Sequence, residues 1–142
     1  MRNSQIEVHP LTGVIGAEVH GVDLREPMED GTFEQVHQAL LDHLVIFFRD
    51  QDITSKQHLE FGRRFGELHL HPSAPIMDDN PELMKIHADA SSPFAEGTSW
   101  HTDVSSDEEP PMASILHLNT VPKVGGDTLF ANMYMAYETL SD

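Results

Sequence analysis

Two side chains with metal-ligating chemistry stand two positions apart in Trp100-His101-Thr102-Asp103. On an extended segment, positions i and i+2 face the same side. His101 and Asp103 could therefore aim an imidazole nitrogen and a carboxylate oxygen at one ion. Two histidines and one carboxylate on a single octahedral face are the arrangement of non-haem iron(II) oxygenases, which keep the remaining positions open. Taken alone the pattern is weak. With 10 His and 12 Asp in 142 residues, about one His-x-Asp pair arises by chance. His87-Ala88-Asp89 is a second such pair, and composition does not rank the two.

The whole chain limits what such a site could serve. Its 24 acidic and 8 basic residues give a formal net charge of −16. That balance argues against nucleic acid, which needs a basic footprint, and against anionic membrane surfaces. It leaves room for a small anionic substrate in a locally positive pocket. With 0 Cys, disulfides, thiolate nucleophiles and zinc ribbons drop out, so any metal must be held by His, Asp, Glu or carbonyl oxygen. No stretch approaches the roughly 20 apolar residues of a membrane span. The opening Met1-Arg2-Asn3-Ser4-Gln5 has no apolar signal core. A soluble cytoplasmic protein is the expectation.

Hydrophobic patterning suggests the elements that must position the pair. Ile6 to Leu24 alternates and is broken by Gly13, Gly16 and Gly21, as short strands joined by glycine turns would be. Thr32 with Gln35 and Thr54 with Gln57 have capping-box spacing and should open two helices. The first would bury Phe33, Val36, Leu40, Leu41 and Leu44; the second carries Leu59, Phe61 and Phe65 and stops at Gly66, a plausible C-cap residue. Between them, Val45-Ile46-Phe47-Phe48 reads as a buried strand. Residues 69–82 and 88–99 read as loops, with a strand at 83–87 between them. Strands are expected at 113–121 and 128–131, joined by a Gly125-Gly126 turn, and a helix from Met133. Strands, two helices and further strands suggest an α+β fold with a sheet-rich core.

Several segments together resemble the taurine dioxygenase family. They are Trp100-His101-Thr102-Asp103-Val104, Pro110-Pro111, Ser114-Ile115-Leu116 and Gly125-Gly126-Asp127-Thr128-Leu129. Upstream, Ile15-Gly16-Ala17, Gly21-Val22-Asp23-Leu24, Val45 to Gln51 and Arg64 to Pro72 are similarly placed. The likeness runs from about Val8 to Leu140 in one order. It selects His101 and Asp103 and leaves His87 and Asp89 as coincidence.

The resemblance implies a double-stranded β-helix, or jelly roll, with flanking helices, incomplete in this chain. Residues 1–142 would be a single partial oxygenase domain. It implies Fe(II) held by His101, Asp103 and a distant second histidine, with 2-oxoglutarate as cosubstrate and dioxygen as oxidant. Thr128 matches the threonine that meets the far carboxylate of 2-oxoglutarate, where a hydroxyl donor makes sense. His71 matches a substrate-binding histidine that contacts an anionic head. Taurine-specific members carry a tyrosine where Ala74 stands and an asparagine where Gly97 stands. Both replacements remove polar contacts, so another sulfonate, a sulfate ester or a carboxylate is expected. The second metal histidine and the 2-oxoglutarate arginine are expected beyond Asp142. The 142 residues alone are therefore expected to be inactive or nearly so. Members of the family commonly associate, which admits a homo-oligomer.

Other readings stay beside this one. The chain could be a non-catalytic fragment serving as a binding or assembly element, or carry a hydrolytic metal site for another divalent ion. Met77, Met84, Met112, Met133 and Met135 read as core filler or pocket lining. Trp100 reads as packing beside the site, Phe47 and Phe48 as core, and Asp107-Glu108-Glu109 as solvated surface. His69 and His117 carry no expected ligand role. Gly125-Gly126 lacks the strand and helix context of a phosphate cradle.

Overall fold

The computed structural model describes residues 5–70, 76–77, 80–89, 91–92 and 97–141. They form a mixed sheet with helices, in two compact units: residues 1–54 with 118–142, and residues 55–117.

In the first unit, β1 (Glu7–Pro10) and β2 (Ala17–His20) make an antiparallel hairpin with Val8 opposite Val19. The connecting loop folds on Thr12, whose hydroxyl accepts from the N–H groups of Val14 and Ile15. Parallel neighbours need a crossover, and α1 (Asp30–His43) supplies it, returning the chain to β3 (Ile46–Phe47) beside β2. Ala17 and Val19, two positions apart, are buried, as are Val36 and Ala39 of α1. The last turn of α1 closes through Leu44 at φ 66°, whose N–H donates to Leu40 O at 2.7 Å. The His43 carbonyl, which a helix end would orphan, accepts from Gly16 N.

The helix differs in detail from its pattern. It starts at Asp30, before Thr32, and its N-cap residue Glu29 makes no side-chain cap. Gln35 instead donates to Gly31 O and accepts from Ile6 N, tying the helix to the start of β1. The buried face runs through Thr32, Val36 and Ala39. Leu41 is exposed, because the narrow sheet offers partners to one side of the helix only. Phe47 and Phe48 are half-buried rather than core.

After Pro122, Gly125 and Gly126 both turn at φ 75°. A Cβ on Gly126 would sit 2.8 Å from Pro122 Cγ, so only glycine fits there. The segment from 127 to 131 is irregular and pairs with no strand among the described residues. It is held by Phe130, edge-on to Phe47 at 6.0 Å between centroids. Asn132 follows; its Nδ2 donates to Val14 O, and its Oδ1 caps the short helix Met133–Glu138 by accepting from Met135 N.

The second unit is built on α2 (Ser55–Arg63), which begins directly after Thr54 as its pattern suggested and buries Leu59, Phe61 and Gly62. It ends at Arg63, with Arg64 and Phe65 closing tighter turns onto Phe61 O and Gly62 O ahead of Gly66. A two-strand ladder, β4 (Ile76–Met77) with β5 (Asn80–Met84), packs near α2, and Arg63 reaches Glu82 at 3.1 Å. It occupies part of the stretch expected as loop, and the strand expected at 83–87 ends at Met84. Residues 113–121 form no strand either, for a strand needs a ladder partner and none lies beside them among the described residues. Met84, Met112, Met133 and Met135 are surface residues here rather than core filler.

Candidate metal centre

His101 and Asp103 lie in the second unit on an irregular segment rather than a strand. Their side chains still converge, with His101 Nε2 3.2 Å from Asp103 Oδ1. Cis ligands on an octahedral ion at about 2.1 Å each would stand roughly 3 Å apart, so this spacing fits one ion between them.

The ring is also set for that role. His101 Nδ1 lies 2.8 Å from the Ser99 carbonyl, an oxygen that can only accept. Nδ1 therefore donates to Ser99 O, which leaves Nε2, the nitrogen facing Asp103 Oδ1, as the one that a metal would take in place of a proton. Metal-binding histidines are commonly oriented through their other nitrogen in this way. Beyond Asp103 the chain turns, with Val104 at φ 49° and Asp107 N donating to Val104 O at 3.2 Å. His69 Nε2 meets Asp107 Oδ2 at 2.9 Å and ties this turn to the residues after α2. One member of the acidic run is thus engaged. Trp100 is 70% exposed, so it does not pack beside the site as expected.

The competing pair is divided in the same way: His87 Nε2 stands 3.4 Å from Asp89 Oδ2, while Asp89 Oδ1 accepts from Ser91 N at 2.8 Å and Ser91 Oγ at 2.6 Å. This is a carboxylate closing its own turn. The Ser91 hydroxyl, then its N–H, then His87, hold the Asp89 pKa down to about 2.

Gly97 sits at φ 80°, and a Cβ there would lie 3.7 Å from His101 Cε1, so a side chain at this position would border the site. Thr128 belongs to the first unit, exposed on the irregular segment held by Phe130 and Asn132. His71 and Ala74 lie outside the described residues. Among the described residues, no group of three or more His, Asp or Glu could hold a metal. His101 and Asp103 make a pair, and a third ligand is not beside them there.

Sequence patterning missed the supports. Ser114 Oγ donates to Asp103 Oδ2 at 2.7 Å, and His58 of α2 meets the Ile115 carbonyl at 3.1 Å. Burial, and secondarily the neighbouring His117, lower the His58 pKa, while the bond to Ile115 opposes the shift. The two rings meet edge to face at 6.0 Å. Among the described residues, no helix is long and apolar enough to cross a membrane.

A family model described as "Taurine catabolism dioxygenase TauD, TfdA family" matches residues 7–142. An alpha-ketoglutarate-dependent sulfate ester dioxygenase from Pseudomonas putida is 39% identical over 142 residues, covering 97% of this chain and 45% of that protein. An alkylsulfatase from Acinetobacter baylyi is 36% identical over 139 residues, covering 97% of this chain and 43% of that protein. The crystal structure of a taurine dioxygenase from Burkholderia xenovorans is similar at a TM-score of 0.81 and 42% identity, covering 96% of this chain and 48% of that one. The chain spans about half the length of the curated relatives it matches.

Proposed function

Because the chain belongs to the taurine catabolism dioxygenase TauD, TfdA family, we propose that it supplies His101 and Asp103 as two ligands of a ferrous site in an enzyme that hydroxylates a small anionic organic substrate. The alpha-ketoglutarate-dependent dioxygenases of this family use Fe(II) and 2-oxoglutarate. When bound, the iron and 2-oxoglutarate supply the oxidising power: dioxygen is consumed, 2-oxoglutarate leaves as succinate and CO₂, and a substrate carbon gains a hydroxyl. The protein provides binding, orientation and the exclusion of water.

The observation that carries this reading is the convergence of His101 Nε2 and Asp103 Oδ1 at 3.2 Å, with the other ring nitrogen anchored on Ser99 O. His101 offers a neutral donor and Asp103 a negative one. Thr128 is proposed to donate to the far carboxylate of 2-oxoglutarate, and His71 to meet the substrate's anionic group. The third metal ligand and the 2-oxoglutarate arginine are proposed to come from sequence matching the other half of the relatives. The jelly roll is proposed for that whole protein, with 113–121 and 128–131 among its strands, and a cytoplasmic location accompanies it.

A sulfate ester, a sulfonate other than taurine, or a carboxylate is the proposed substrate class. The glycine at 97 supports it, since a position bordering His101 carries no polar group here. The sulfate ester dioxygenase among the relatives points the same way. The test is succinate release by the whole enzyme with Fe(II) and 2-oxoglutarate, offered an alkyl sulfate, an alkanesulfonate, taurine and a carboxylate in turn. Oxygen-dependent succinate formation matched by loss of one of the first two or the last, and abolished by His101→Ala, is expected. Metal-dependent hydrolysis indifferent to 2-oxoglutarate would overturn the proposal. The 142 residues alone should release little or no succinate.

A second reading, a binding or assembly element, is favoured by one feature: Val124, Leu129 and Tyr137 are 91%, 72% and 77% exposed. It predicts partner binding that survives His101→Ala.

A further inference from the structure

We infer that Ser114 is a positioning residue for Asp103, taking Oδ2 so that Oδ1 alone is presented beside His101 Nε2; this rests on the metal-site reading above. Asp103 is about half exposed, with a side-chain exposure of 51%. A carboxylate so open to water turns freely about its last torsion and could offer either oxygen, or both, to an ion. The structure divides them. Oδ1 faces His101 Nε2 at 3.2 Å, while Oδ2 accepts the Ser114 hydroxyl at 2.7 Å. That length belongs to a charge-assisted O–H···O⁻ bond. An oxygen engaged there is turned away from the ion, so the carboxylate binds through one atom and leaves coordination positions for other ligands.

The serine is itself fixed. Its neighbour Ile115 presents a carbonyl to His58 Nε2 at 3.1 Å, and since the carbonyl only accepts, the ring donates. The Ile115 side chain approaches α2 where the helix has no side chain of its own: a Cβ on Gly62 would lie 3.8 Å from Ile115 Cδ1. The path runs from a helix, through one backbone carbonyl, to a hydroxyl on the ligand. Such outer partners commonly change metal affinity 10- to 100-fold when lost.

Mn(II) titration of the isotope-labelled chain, followed by paramagnetic broadening of NMR signals around His101, tests this. Ser114→Ala should weaken binding about tenfold, and Ser114→Thr, which keeps the hydroxyl, should restore it to within about twofold. The thermal midpoint should hold in both variants, because residue 114 is exposed. Parental affinity in Ser114→Ala, or a Ser114→Thr no better than it, overturns the inference while leaving the metal pair standing. Broadening absent from the parent, or unaffected by His101→Ala, overturns the pair and the inference with it.

Discussion

Truncating Val36 to alanine should cost the first unit far more than truncating a larger residue on the same helix. Val36 is fully buried in α1, a helix that packs on β2, whose Ala17 and Val19 are buried in the same small core. Two methyl groups returned to water are worth roughly 1.6 kcal/mol at about 0.8 each. A residual cavity near 40 Å³ adds about 1 kcal/mol at ~24 cal/mol per Å³. The sum, about 2.5 kcal/mol, should lower a urea midpoint by roughly 1 M for a slope near 2 kcal/mol/M. Leu41→Ala removes more atoms, but from a residue 53% exposed, and should cost about 0.5 kcal/mol or less. Far-UV circular dichroism is the suitable probe, since α1 is 14 residues long while the single tryptophan, Trp100, reports on the other unit. A Val36→Ala cost under about 1 kcal/mol, or a larger cost for Leu41→Ala, would refute the packing of α1 through Thr32, Val36 and Ala39.

Three further outcomes follow from local chemistry. Burial lowers the His58 pKa, so below the ordinary histidine value of about 6.5 the unfolded chain takes a proton that the folded chain resists. Stability should therefore fall as pH drops from about 6.5 toward the folded pKa, and His58→Gln, which keeps a donor for Ile115 O, should fall less; an equal or steeper loss in the variant contradicts this. In an NMR pH titration, Ser91→Ala should move the Asp89 pKa up from about 2 toward 3.8, since the Ser91 hydroxyl is the largest cause of the depression; an unmoved value counts against the turn. With Zn(II) bound, nitrogen-15 shifts of the His101 ring should show the proton on Nδ1, toward the Ser99 carbonyl, and the metal on Nε2; a metal on Nδ1 or a proton kept on Nε2 would contradict the arrangement.

Much of the architecture was legible because it follows from local rules. Glycine spacing gave the β1–β2 hairpin, Thr54 marked the start of α2, and the apolar run at 45–48 contained β3. Gln35 has capping-box spacing but bonds to Gly31 and Ile6, since a backbone N–H from another strand lay within reach. Alternation at 113–121 and 128–131 did not become strands, because alternation records which faces differ and not what pairs with them. The metal pair was half legible: spacing offered two equal candidates, each carboxylate gives one oxygen to a serine and faces its histidine with the other, and it is the family resemblance that selects His101 and Asp103. Ser114 and His58 were beyond spacing altogether, for each acts across 11 and 57 positions of chain.

The most direct measurement is anaerobic calorimetric titration of Fe(II) into the protein and into its His101→Ala, Asp103→Ala and His87→Ala variants. Binding should vanish in the first two variants and persist in the third. Binding that survives loss of His101 or Asp103, or that depends on His87, would contradict a ferrous site built on this pair.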